Sequence, residues 1–206
     1  MRSRLRLAFG HAGVVGDRSP AQPPPARRGG VKRWAALLRG VNLGGRKLLS
    51  TDLKALTEGL GYTRVETLLA SGNVVFDTTD PADEIVRKLE AALESHGLKT
   101  DVMVRDLSEM QAVIAANPYP EAALDHPSHM LVTFHRDAFP GEALERLEPG
   151  PERLHAIGRE LYSDYISQQG MRDSKLLQTM SKAKFPKLAT ARNWNTVNKL
   201  AVMLAA

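Results

Sequence analysis

The stretch VETLLASGNVVFD, residues 65–77, decides the fold. Two runs of β-branched and large apolar residues, 65–70 and 74–77, flank Ser71-Gly72-Asn73. Short apolar runs bounded by turn residues read as strands, and a glycine between them closes a hairpin. Toward the N-terminus, Leu53, Leu56 and Leu60 recur at helical spacing, Ser50 or Thr51 stands where a helix is capped, and Gly61 stops it. Before that helix, the run WAALLR at 34–39 is cut off by Gly40 and reads as a first strand. Toward the C-terminus, Asp80 is the expected cap of a helix with Pro81 at its first position. Ile85, Leu89 and Leu93 form its inward stripe, Gly97 ends it, and residues 101–105 alternate as a strand.

The order strand–helix–strand–strand–helix–strand predicts an α+β fold with a ferredoxin-like split βαβ (βαββαβ) domain over residues 31–106. A second, smaller α+β region follows over residues 107–206. It is read as a helix at 107–116, a loop at 118–127, a strand at 130–134 and a short helix at 142–147. Next come a hairpin of 153–157 and 160–165 across Gly158-Arg159 and helices at 174–182 and 190–204. No repeat shows at a fixed period, although the strand content could hide a second, degraded βαββαβ.

Composition bounds the function. The chain has 206 residues, enough for a real core, and no cysteine, which removes disulfides, thiolate nucleophiles and Cys-ligated zinc. No apolar run is long enough to span a membrane, and a reducing cytoplasm is the expected location. The net charge of +5 is local. Residues 1–30 hold six arginines against Asp17, so the body from residue 31 onward is neutral. Within the body, residues 31–60 carry +4, 61–170 carry −10 and 171–206 carry +6. Two basic ends around an acidic middle can converge on one electropositive surface. The first thirty residues, with Pro20, Pro23, Pro24 and Pro25, bury too little to repay ordering. They are expected to be a disordered tail or a mis-assigned start, with initiation near Val31 or Lys32.

Several motifs bear on chemistry. GVNLGGRK at 40–47 lies between a strand and a helix, where phosphate loops occur, but Leu48 stands where a Walker loop needs a hydroxyl. Asn42, Arg46 and Lys47 remain candidate anion contacts. Ser71 has no nucleophile elbow around it. His126, His129 and His135 lack an acid cluster at ligand spacing, so no metal site is read there. In the last predicted helix, with Thr190 as its cap, Trp194, Val197, Ala201 and Leu204 form an apolar stripe. Arg192, Asn195, Thr196 and Lys199 form a separate polar stripe without an acid, beside the free N–H groups of a helix start.

The segments LLRGVNLGG (37–45), SGNVVF (71–76), SKL (174–176) and TARNWNT (190–196) together resemble a bacterial family known as domain of unknown function 1697. The resemblance spans residues 32–206 and implies a ferredoxin-related α+β fold and a bacterial cytoplasmic protein. It implies no activity. Lys187-Leu188-Ala189 departs from it, standing where a glycine-containing turn is expected before Thr190.

In a split βαβ the first and third strands are neighbours, which brings Arg39–Gly40 beside the turn at Gly72. If the Thr190 end docks there, one pocket gathers Arg39, Asn42, Gly44, Gly45, Lys47, Ser71, Asn73, Arg192, Asn193, Asn195, Thr196 and Lys199. The expectation is a binding module for a small anionic or nucleotide-like ligand. An enzyme of unassigned chemistry in the same pocket is the alternative, its catalytic residues and cofactors unknown. Nucleic-acid binding is the third reading and is not favoured: RNA-binding sheets of this shape expose aromatics, and only Trp34 and Phe76 are on offer. The sequence does not give the oligomeric state.

Overall fold

In the computed structural model of this chain, the described residues are 30–41, 47–68, 71–138, 142–147, 150–183 and 185–206. The expectation for the tail before residue 30, and those for Asn42, Gly44, Gly45 and Arg46, lie outside them. Among the described residues, no helix is long and apolar enough to cross a membrane.

The first half is β1 (Lys32–Leu38), α1 (Ser50–Gly59), β2 (Thr63–Leu68), β3 (Asn73–Thr78), α2 (Ala82–Ser95) and β4 (Val102–Asp106). The four strands form one antiparallel sheet in the order β2-β3-β1-β4, so β3 lies between β1 and β2 as a split βαβ requires. Neither helix is capped as the sequence suggested. Leu49 and Pro81 occupy the N-cap positions and make no side-chain cap bond. Asp80 instead accepts from Tyr62 Oη at 3.0 Å and Lys88 Nζ at 2.8 Å, which ties the start of α2 to its own second turn.

The second half is more regular than its sequence. It comprises α3 (Leu107–Ala115), α4 (Pro120–Asp125), β5 (Met130–His135), α5 (Glu142–Glu145), β6 (Arg153–Ile157) and β7 (Glu160–Asp164). It ends with α6 (Gln168–Asp173), α7 (Leu176–Lys182), β8 (Ala189–Asn193) and α8 (Trp194–Ala205). Helix α4 falls where a loop was read, and α6 was not foreseen. The helix read at 190–204 begins only at Trp194. Thr190 is not its cap; residues 189–193 are a strand, and Asn193 caps α8 by accepting from Thr196 N.

The second sheet runs β6-β7-β5-β8, the first sheet's order with each strand replaced by its counterpart. The registers agree as well. Ala35 faces Val75 and Arg105 across its neighbours, and Val132 faces Tyr162 and Arg192. Each fourth strand leads into a helix whose cap side chain accepts from the third residue on: Asp106 from Glu109 N and Asn193 from Thr196 N. Loop bonds repeat too. Leu38 N donates to Gly72 O and His135 N to Arg159 O, both at 2.8 Å. Among the described residues one strand order is carried out twice, as βαββαβα in the first half and, after α4, as βαββααβα in the second.

Three apolar clusters follow from the alternation along the strands. Trp34, Ala36 and Leu38 point outward from the first sheet and are covered by α1 and α2 through Leu53, Ile85, Leu89 and Leu93. Ala35, Leu37 and Met103 point the other way and share a central cluster with Met130, Val132 and Phe134 of the second sheet and with α3 and α8. Trp194 is buried there, as its stripe predicts. The third cluster, outside the second sheet, has only Ala143, Leu161, Ala183 and Phe185 buried.

Candidate functional site

The end of β1, the β2–β3 turn and β8 meet, as the sequence reading required, but they meet on a buried arginine. Arg192 is 6% exposed. Its Nη2 donates to Leu38 O (2.9 Å), Ser71 O (3.0 Å) and Gly72 O (3.2 Å), its Nε to Asn73 Oδ1 (2.5 Å), and its Nη1 to Thr190 Oγ1 (2.7 Å) and Ala191 O (2.8 Å). Every acceptor is neutral. Burial lowers its pKa to about 10, so the charge stays, and no carboxylate among the described residues offsets it. The expectation of an exposed cation on a helix face is corrected: strand geometry turns Arg192 inward, where it ties the second sheet to the first.

The counterpart arginine does the reverse errand. Arg105, 1% exposed, crosses from β4 to donate to His135 O (2.9 Å) at the end of β5 and to Glu160 Oε1 (2.8 Å) at the start of β7. Glu160 corresponds to Asn73, so this clamp is ion-paired and the other is not. The glycine at the first clamp is demanded twice over. Gly72 has φ +74°, and a Cβ there would collide with Val41 Cγ2 and lie 3.1 Å from Leu38 Cβ.

The remaining predicted site residues scatter. Asn73 is buried and donates to Leu68 O and Ser71 Oγ. Asn193 and Thr196 are spent on the α8 cap, Thr196 buried and donating to Asn193 Oδ1. Asn195 is exposed and donates to Ser128 Oγ at 3.3 Å. Lys47 and Ser71 are exposed. Lys199 borders a shallow apolar hollow with Leu68, Asn198, Val202 and Met203. Trp34 and Phe76 lie under the helices, Phe76 stacked on Tyr62 at 4.7 Å, so neither is on an open sheet face. His126 Nε2 contacts buried Asp164 at 2.9 Å, which Arg153 also holds; the matching Asp77 is held by Arg33 and Arg64.

Arg39 leads elsewhere. Its guanidinium pairs with Asp101 Oδ2 at 2.9 Å and stands at one end of a groove of about 830 Å³ on the outer face of the second sheet. Leu131 and Thr133 of β5 and Ala189 and Ala191 of β8 lie along that face, and Met171, Leu176 and Met180 of α6 and α7 overhang it. Lys187 and Thr190 stand at the Arg39 end, Tyr165 at the other. Among the described residues, no acid lines the groove and Lys187 has no carboxylate partner. Behind Thr190 sits the uncompensated charge of Arg192, which a low-dielectric interior projects toward this end. Burial raises the Tyr165 hydroxyl to about 12 and lowers His135, whose ring faces the Pro186 carbonyl, to about 4. Both are neutral at physiological pH.

Sequence reasoning found Arg39 but missed Thr133, Ser174, Lys187, Ala189 and Ala191. Ser174-Lys175-Leu176 was already in view as a motif, and Ser174 and Leu176 line the groove. The remaining signal needed the alignment of the halves: where β4 has Val102 and Val104, β8 has Ala189 and Ala191.

With this geometry in hand, comparisons place the chain. A family model described as a protein of unknown function (DUF1697) matches residues 31–162. The chain belongs to this family. The DUF1697 match ends short of the SKL and TARNWNT segments, which carry the groove and the Arg192 clamp. A solved structure of a conserved bacterial protein from Streptococcus pneumoniae is similar in fold, with a TM-score of 0.69 and 24% identity. The similarity covers 84% of this chain and 99% of that one. No curated protein matches.

Proposed function

We propose that this DUF1697 protein is a binding module for a small anionic ligand, held in the groove on the outer face of the second sheet. What supports the reading is the contrast between the two outer faces. In the first half, α1 and α2 fill that face completely, with Ala36 and Leu38 at 0% exposure. In the second half the same face has alanines in place of valines, two short helices above it, and the groove. A volume of about 830 Å³ falls within the range of small-molecule sites, roughly 300–1,000 Å³. Arg39, Lys187 and the buried Arg192 give its one end a positive potential, and Thr133, Ser174 and Ser181 supply hydroxyls.

Thermal-shift measurements on the full chain with acetate, phosphate and nucleotides test this reading, because a ligand of the native state raises the melting temperature by linkage. Anions should stabilise the wild type, and Lys187→Gln should abolish the effect without changing the ligand-free melting temperature. An anion response retained by Lys187→Gln would place the binding elsewhere.

A further inference from the structure

Resting on that reading, we infer that the ligand is an apolar monocarboxylate: a single carboxylate at the Arg39–Lys187 end and an elongated hydrocarbon body along the Thr133–Ala189–Ala191 floor. Charge sets the head. Arg39 is already shared with Asp101 at 2.9 Å, and the donors of buried Arg192 are spent on Leu38, Ser71, Gly72, Asn73, Thr190 and Ala191, so among the described residues that line the groove Lys187 is the one cation free to contact a ligand. One such charge matches a monoanion. A nucleotide would bring two or more negative charges to a site that supplies little to neutralise them.

The walls set the body. Leu131, Met171, Leu176, Met180 and Phe185 line the groove, and unbranched methionines adapt to a chain of variable path. The floor is low because its residues are small. Thr133 and Ala191 are cross-strand partners in the position held by Ala36 and Val104 in the first sheet. There the space above them is taken by the leucines of α2; here Ala191 is exposed and Thr133 half-buried. A ligand chain along this floor would do for the second sheet what α2 does for the first. The basic end also argues against the chain's own arginine-rich N-terminus as the occupant.

Calorimetric titration of the full chain, below micelle-forming concentrations, with acetate, decanoate, 1-decanol and ATP reads head and body separately. Decanoate should bind about a hundred-fold more tightly than acetate, since only a few buried methylenes are needed for that ratio, and about ten-fold more tightly than decanol. Lys187→Gln should reduce decanoate to the decanol level. Ala191→Leu, which fills the floor, should abolish decanoate binding while leaving the circular dichroism spectrum and urea midpoint at or above wild type. Binding of ATP or acetate that is lost in Lys187→Gln, with decanoate no tighter than acetate, would overturn the monocarboxylate inference and leave the anion reading standing. Equal binding of decanoate and decanol, or no binding by any probe, would overturn both.

Discussion

The outer faces of the two sheets began from the same plan and ended differently. On the first, a helix of ten residues and one of fourteen lay Leu53, Ile85, Leu89 and Leu93 over a floor that includes Val102 and Val104. On the second, helices of six and seven residues reach over Ala189 and Ala191 and leave a groove. The clamps differ in the same sense. Arg105 is neutralised by Glu160, whereas Arg192 in the matching place meets only neutral oxygens. Because the two sheets share strand order and register, each departure is measured against an internal standard. One copy is optimised for packing. The other leaves packing and charge balance incomplete at one place, and the proposed binding site rests on that contrast.

The clamps give the largest expected effects. Arg192→Met should cost about 3–5 kcal/mol by urea denaturation, because it removes the four donations that tie β8 to the end of β1 and the β2–β3 turn and leaves buried Asn73 Oδ1 without its donor. Arg192→Lys should recover little, since a compact ammonium cannot span acceptors on both sheets. Arg105→Met should be comparably costly but partly rescued by adding Glu160→Gln, which removes the stranded charge. Full tolerance of Arg192→Met would mean that the two halves do not depend on that clamp.

Next come the paired turns. Gly72→Ala should destabilise by about 3 kcal/mol, combining left-handed backbone strain with overpacking. Gly158→Ala, whose added Cβ meets nothing closer than Glu160 Oε2 at 3.8 Å, should cost only about 1 kcal/mol of backbone strain. Equal losses would show that the close approach to Val41 does not matter. His135, at the position of Leu38, offers a third contrast. Its folded pKa, about 4, lies below the unfolded value, so the unfolded chain binds the extra proton between about pH 6.5 and 4. Stability should therefore be full above that window and fall as pH drops through it, by at most about 1.4 kcal/mol per pH unit. His135→Leu should remove that part of the slope; an unchanged slope would assign it to other groups.

Much of the first half was legible in the sequence because its strands and helices are local patterns: Ile85, Leu89 and Leu93 at helical spacing, glycines at 61 and 97 with positive φ ending the helices. The junction before the last helix was misread. The sequence around Thr190 suits a helix cap, yet pairing with β5 makes residues 189–193 a strand, and long-range pairing is invisible to local propensity. That single shift turned Arg192 from a surface cation into a buried clamp. The convergence of the motifs was legible; its purpose was not. The groove was illegible for a different reason: it is defined by what α6 and α7 fail to cover, and an absence of packing leaves no periodic signal. Of the predicted site residues that are described, only Arg39 borders it.

The outer face of β8 stays open where that of β4 is filled. Ala189→Val combined with Ala191→Val gives β8 the residues of β4 at those positions. Urea denaturation of this double variant should show a stability raised by about 1–2 kcal/mol, as added methyl groups bury apolar area in unfilled space. A loss of stability would contradict the claim, since it would show that the space above the alanines is already closed in the folded protein.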